Sequence, residues 1–413
     1  MTDKLSKSSR FPIGIVILLF TGTILAYVDR QILALLKPTL EAEFNWSDSD
    51  FAHLGSMFSL AMAFSVLLGG WLVDKFGVRK VYGLGVATWS LAGMAHAAAT
   101  SVSQFITARV VLAAGESVAG PSTIKSITEY VRPEQRALAL GIINMAPSLG
   151  AILTPLAIPA VALIFGWKAA FIITGALGFI WVAIWFSVAQ PDTTKNTPDT
   201  PSESSATRLQ LRDMLKDRKT WALTGAKAIA DMVWWFLLFW IPDLFSKVFQ
   251  LSQSEIGGPV ALTYAMAAVG ALSSGFIYPA LLRLNLNRNK ARKLSMLFYA
   301  VLIIPAPLAL MVESVWSASG IIGIALFAHN GFVTNIFALT SEIIPSARVG
   351  TVTALGTVAG NLTGVLMLEF AGLSLSNGWG YAPLFLIASC AYLIALLWLH
   401  MLLPKLEAER INA

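Results

Sequence analysis

Asp29 and Arg30 stand side by side in a stretch, residues 11–36, that is apolar almost throughout apart from the Tyr27-Val28-Asp29-Arg30 step and Gln31. A charged side chain at bilayer depth costs at least about 2.5–3.5 kcal/mol, so it is seldom there without a role. Adjacent helical residues do not share a face, so the two need not neutralise each other. Arg109 and Glu116 form a second set, seven residues and therefore two turns apart on one helical face. They are too far apart to pair with each other, which leaves Asp29 and Arg30 as partners across a helix bundle. A carboxylate facing a membrane cavity is a natural proton carrier, because desolvation favours the neutral acid and a nearby guanidinium favours the anion. Both signs beside a tyrosine point to a polar cavity that handles charge. The alternative is a fixed ion pair locking two helices.

Other polar residues sit at helical spacing. Lys227 and Asp231 lie four apart, with Trp234, Trp235 and Trp240 following, where rings either line a sugar-sized cavity or pack in the core. Lys125 and Glu129 read as an i,i+4 pair near a helix end. Asn144 and Ser148 share a face around Pro147, and Asn335 and Asn361 add further amides. Amides glue membrane helices together, but collectively they also supply what a polyhydroxylated ligand would require. His53, His96 and His329 form no metal-ligand spacing, and no phosphate loop, zinc motif or nucleophile elbow is present. The expectation is therefore no enzyme, no metal and no cofactor, with energy drawn from an ion gradient.

The elements that must position these residues are membrane helices. The chain of 413 residues is 56% hydrophobic and 13% charged, about half the charge of a soluble domain. Apolar runs near 20 residues recur throughout, which predicts an all-α, polytopic membrane protein. The spans are 11–36, 51–73, 81–100, 103–129, 136–165, 169–189, 220–246, 256–282, 294–312, 316–341, 349–373 and 380–403, giving twelve transmembrane helices. Of the 29 Lys and Arg, 22 fall in the termini and in alternate connections on one side. Positive residues stay inside, so both termini are expected in the cytoplasm, and the excess of +6 needs no nucleic acid to explain it. The first span is too long for a signal peptide and is expected to be retained. The single cysteine, Cys390, excludes an intramolecular disulfide.

Residues 190–219 are rich in Asp, Thr, Ser and Pro and then charged, which reads as a cytoplasmic linker. It divides the chain into two six-helix bundles, 1–189 and 220–413. The halves echo each other: Pro133-Glu134-Gln135-Arg136 precedes the fifth helix and Pro345-Ser346-Ala347-Arg348 the eleventh. Two parallel repeats with a substrate site at their interface near midplane is a known transporter plan.

The loop after the second helix carries Gly70, Asp74, Gly77, Arg79 and Lys80. That spacing resembles the loop signature of the major facilitator superfamily. The glycines would allow close helix approach and a tight turn, while Asp74 would pair with basic residues and hold one conformation. In the second half the Asp-x-x-Gly core is absent. The chain further resembles the anion:cation symporter branch of that superfamily, which includes bacterial hexuronate and aldonate transporters. The resemblance rests on Tyr27-Val28-Asp29-Arg30, on Arg109 with Gly115-Glu116, on Lys227-x-x-x-Asp231-x-x-Trp234-Trp235-Phe236, and on His329-Asn330-Gly331 with Asn335-Ile336-Phe337.

The resemblance implies a proton-coupled symporter for a small carboxylated sugar in a bacterial cytoplasmic membrane, acting as a monomer. Arg30 would take the substrate carboxylate. Asp29 and Glu116 would be the protonation sites, with Arg109 tuning Glu116. Tyr27, Asn144, Trp235, Asn335 and Asn361 would line the cavity. Asn330 stands where a glutamine is usual, and Ala146-Pro147-x-x-Gly150 partly matches a pattern of proton antiporters. An antiporter exporting an organic anion or drug-like compound is the alternative.

Overall fold

The computed structural model describes residues 12–189 and 214–406. Most of the expected linker, residues 190–213, lies outside the described residues. Among those described, the secondary structure is helical throughout.

The first half contains α1 (Ile13–Phe44), α2 (Asp48–Phe76), α3 (Val78–Ala95), α4 (Val102–Glu116), α5 (Ala119–Tyr130), α6 (Pro133–Ile143), α7 (Ala146–Phe165) and α8 (Trp167–Val188). The second contains α9 (Arg218–Val248), α10 (Gly257–Arg283), α11 (Arg288–Leu302), α12 (Val315–Ile343), α13 (Ser346–Ser376) and α14 (Ala382–Leu402). Among the described residues, ten stretches are long and apolar enough to cross a membrane, with α6–α7 counted as one and α11 taken together with the turn that follows it to Leu310. The third pass is the shorter α3, and the fourth is the α4–α5 pair, which makes twelve.

Three expected helices are interrupted, and proline accounts for each. Pro121 has no N–H for the Ser117 carbonyl, so the fourth pass breaks between Glu116 and Ala119. Pro147 likewise leaves the Ile143 carbonyl without its partner, and the fifth pass breaks at Asn144–Met145. Pro305 ends α11, and the chain continues as a 3₁₀ turn over Ala306–Leu310. In the other direction, α1 runs beyond its expected end, through Pro38 to Phe44. This extension puts Lys37, expected in a connection, inside a helix.

Within the first half α1 packs on α7 and α8, α2 on α4, and α3 on α4 and α8. Within the second, α9 packs on α13 and α14, and α12 on α10 and α11. The halves meet along α2–α13, α7–α10 and α1–α9.

Candidate functional site

Arg30 and Glu116 form the centre of the site. The Arg30 guanidinium donates through Nε to Glu116 Oε2 at 2.6 Å. The glutamate side chain has no exposure and that of Arg30 retains 21%. Arg30 therefore has N–H groups left over, on a side chain that reaches open space. Its guanidinium carbon lies 5.1 Å from the Tyr27 ring centroid and 6.0 Å from that of Phe58. Phe58 is in turn 6.1 Å from Trp235 of the other half. Tyr27, Arg30 and Trp235 thus gather around one aromatic floor.

Local sequence explains the placement. Gly115 lets α4 press against α3, since a Cβ there would sit 2.8 Å from the Trp89 backbone nitrogen. Glu116 follows as the last residue before the helix break and is carried inward by that contact. Gly150 permits α7 to approach α1, where a Cβ would meet the Tyr27 Cβ at 3.0 Å.

Asp29 and Arg30 diverge, as their adjacency on a helix requires. Asp29 is buried within the first half, with Gly93 of α3 and Thr174 of α8 beside its carboxyl. Arg109 has no exposure and lies under the same floor, its guanidinium carbon 4.4 Å from Phe58 and 5.6 Å from Phe239. It donates to the Asp29 backbone carbonyl at 3.3 Å. No protein partner among the described residues meets Arg109 Nε, Arg109 Nη2 or Glu116 Oε1. Chemically, this is a guanidinium shared between an internal carboxylate and open space, backed by a second, under-used cation. It can exchange one carboxylate for another.

The amides expected to line the cavity behave differently from one another. Asn335 is fully buried and its capacity is used inside the second half. Its Oδ1 accepts from Arg292 at 2.9 Å and Ser295 at 3.3 Å, and its Nδ2 donates to the Gly331 carbonyl at 2.8 Å. The Asn335 amide is thus engaged with its neighbours in the second half. Asn361 accepts from Ser59 of α2 at 3.2 Å and donates to Thr357 O at 2.8 Å, tying α13 to α2 across the halves. Asn144 is exposed at the α6–α7 break, with its side chain available.

Lys227 and Asp231 pair along α9 as their spacing implied. Trp234 stacks on His329, whose Nδ1 meets the Tyr392 hydroxyl at 2.6 Å. Lys125 departs from its expected i,i+4 arrangement: its ammonium reaches Asp74 at 3.0 Å and the Val73 carbonyl at 3.1 Å.

The loop motif is built as a turn. Gly77 has φ +85°, a left-handed value that favours glycine, and joins α2 to α3. Arg79 donates to the Ala189 and Phe186 carbonyls at 2.7 and 2.8 Å, and Lys80 is exposed. The close helix approach expected at Gly70 occurs one residue earlier. A Cβ on Gly69 would lie 2.9 Å from the Ser117 carbonyl oxygen, whereas Gly70 faces open space.

A twelve-pass helical bundle with a buried arginine–glutamate centre defines a membrane carrier, not an enzyme. The family model of the Major Facilitator Superfamily matches residues 19–368, and the chain belongs to that superfamily. It is 25% identical over 401 residues to a hexuronate transporter of Escherichia coli strain K12, covering 94% of this chain and 93% of that one. It is 26% identical over 404 residues to a D-galactonate transporter of Escherichia coli O6:H1, covering 92% and 93%. The solved D-xylose-proton symporter superposes with a TM-score of 0.76 at 16% identity, over 96% of this chain and 99% of that one.

Proposed function

We propose that this transporter is a proton-coupled symporter importing a small carboxylated sugar, a hexuronate or an aldonate, across a bacterial cytoplasmic membrane with both termini inside. The observation that carries the reading is the shared Arg30 guanidinium, bound to buried Glu116 on one side and reaching open space on the other. The hexuronate and galactonate transporters among its relatives support the substrate class.

In this reading the substrate carboxylate docks on the free N–H groups of Arg30, where a guanidinium fork matches carboxylate geometry. Tyr27, Trp235 and Phe58 pack against the sugar ring, and Asn144 and Asn361 meet its hydroxyls. Protonation of Glu116 removes the competing anion and leaves Arg30 to the substrate. Deprotonation on the other side of the membrane returns the arginine to Glu116 and weakens substrate binding. Asp29, held in the first half beside Arg109, is the second protonation site. Arg109 tunes Glu116. The protein works as a monomer, with the proton gradient in place of a cofactor.

The test is proton-driven uptake of labelled glucuronate, galacturonate and galactonate into vesicles, with thermal-shift binding of the same acids and of their neutral parent sugars. Stabilisation by the acids and not by the neutral sugars is expected. Equal stabilisation by both would remove the carboxylate reading. Export of an amphipathic compound with no dependence on a carboxylate would replace it by the antiporter.

A further inference from the structure

At one end of the second half, where α9 starts and α12 and α14 finish, lies a cavity lined by none of the residues around Arg30. It holds about 400 Å³ and is lined by Arg218, Lys219 and Lys405, with Ile343, Leu402 and Leu406 among its apolar residues. Asp217 is the one carboxylate in the wall. Its Oδ1 accepts from the Lys219 backbone N–H at 2.9 Å and caps α9. Three cations against one carboxylate leave two positive charges in excess.

The cations are anchored, not spread over a solvated face. Arg218 Nη2 donates to the Met401 carbonyl at 2.8 Å, and Lys219 Nζ to the Ile343 carbonyl at 3.4 Å. Lys293 of α11 donates to the Leu403 and Pro404 carbonyls at 2.7 Å each, and so fixes the turn that carries Lys405. Main-chain carbonyls orient positive groups without neutralising them. Among the described residues, Arg218, Lys219 and Lys405 form no ion pair with a carboxylate. A guanidinium has five N–H donors and an ammonium three, so Arg218 and Lys219 keep donors to offer an anion.

Two tryptophans fix the depth of the cavity. Trp398 Nε1 donates to the Trp221 carbonyl at 2.9 Å, and Trp221 Nε1 to the Leu215 carbonyl at 2.7 Å. Both rings are exposed. Trp221 follows Arg218 by three positions, so ring and guanidinium share a face of α9, with the ring one turn nearer the middle of the span. Exposed indoles at helix ends mark the boundary between hydrocarbon and headgroups. Leu397 and Ile394 continue the exposed apolar surface toward the middle of α14. The cavity therefore sits at the depth of lipid phosphates, with a surface for acyl chains beneath it.

We propose that this cavity binds the phosphate headgroup of one anionic phospholipid, which joins the ends of α9, α12 and α14 from the membrane side. Arg218 and Lys219 contact the phosphate, Lys405 adds charge from the turn after α14, and Trp221 and Trp398 pack on the glycerol and upper chains. Basic pockets among membrane helices at this depth suit anionic headgroups. The anchored cations separate the site from scattered basic residues, which attract anionic lipid without placing it. The proposal rests on the membrane placement of the chain and not on the sugar-acid reading.

The test is native mass spectrometry of the full chain in neutral detergent, titrated with phosphatidylglycerol or with phosphatidylcholine of the same chains. The first phosphatidylglycerol is expected to bind about twenty-fivefold more tightly than phosphatidylcholine. Arg218→Gln with Lys219→Gln should bring it close to the phosphatidylcholine value, since each basic residue beside an anionic lipid contributes about fivefold. Lys405→Gln, at an exposed position, guards against a folding failure and should weaken binding by about fivefold. Lys80→Gln with Arg283→Gln removes two exposed charges from other places and should leave the first affinity unchanged. Equal affinity for the two lipids would overturn the site, and so would parental affinity in the folded pocket variants or an equal loss in the Lys80→Gln, Arg283→Gln protein. Displacement of the lipid by an equal concentration of glycerol phosphate would also overturn it, because the ligand would then be a free phosphate. No sugar enters the measurement, so its outcome is independent of whether the carrier takes uronates.

Discussion

The centre around Arg30 and the cluster around Lys37 are both buried charge on α1, yet they use their hydrogen-bonding capacity in opposite ways. At the Lys37 end one ammonium meets the carboxylates of Glu41, Asp48 and Asp243, the Lys247 ammonium backs it, and Tyr381 completes the set. At the Arg30 centre one N–H of the guanidinium is used by Glu116, while Glu116 Oε1 and two nitrogens of Arg109 have no protein partner among the described residues. A saturated cluster resists new ligands and fixes a geometry. An under-used one is expensive to keep buried and gains whenever an anion or a proton arrives. The contrast assigns holding to one end of the helix and exchange to its middle.

The largest effect should come from emptying the exchange centre. Arg30→Ala removes the only partly exposed cation there, and with it two charge-assisted hydrogen bonds worth ~1.5–3 kcal/mol each. Uptake of labelled glucuronate is expected to fall by about a hundredfold or more, and uptake at the parental rate would end the site assignment. Glu116→Gln comes next and should separate coupling from binding. The amide still accepts from Arg30 but cannot release a proton, so gradient-driven accumulation is expected to vanish while exchange of internal for external substrate persists. Full accumulation by that variant would move the proton elsewhere, with Asp29 the remaining candidate.

How much of this was legible in the chain differs between the two regions. The split between Asp29 and Arg30 follows from helical geometry alone, and so does a partner on the fourth pass for Arg30, because charges at membrane depth leave few alternatives. Ten of the passes follow from apolar length among the described residues, while the third and fourth are shorter or broken helices. The Lys37 cluster did not show itself. Its members are distributed over positions 37–48 and 243–247 with Tyr381, and the expected spans leave Lys37 and Lys247 in connections between helices. Arg292 was hidden by the same habit: it counts as a loop cation in the charge distribution, but it is buried in α11, bonded to Asn335 and Glu342. Periodicity tells which face a residue occupies, not which neighbour that face meets.

Asn335 offers a smaller and sharper test of the same distinction between holding and exchanging. Its amide is saturated by Arg292, Ser295 and the Gly331 carbonyl, so it belongs with the holding residues. Asn335→Ala leaves the buried Arg292 short of an acceptor and is expected to cost about 1–3 kcal/mol of stability, seen as a lower midpoint of thermal unfolding in detergent. The KM for substrate in the surviving protein should stay near the parental value. A raised KM with unchanged unfolding would return Asn335 to the cavity.

The smallest effect separates two adjacent glycines in α2. A methyl group on Gly69 would lie 2.9 Å from the Ser117 carbonyl oxygen and 3.4 Å from the Val118 Cα, against backbone that cannot swing aside. Gly69→Ala should therefore push α2 off the break that follows Glu116, lowering both the unfolding midpoint and uptake. Gly70 faces no atom within 4 Å. Gly70→Ala should leave uptake near parental and raise stability by up to ~1 kcal/mol through helix propensity alone. Unfolding midpoints of the two variants, measured side by side, decide between them. If Gly70→Ala proves the damaging one, the glycine is needed in a state where the halves have moved, and the motif acts on the conformational change rather than on the packing of this structure.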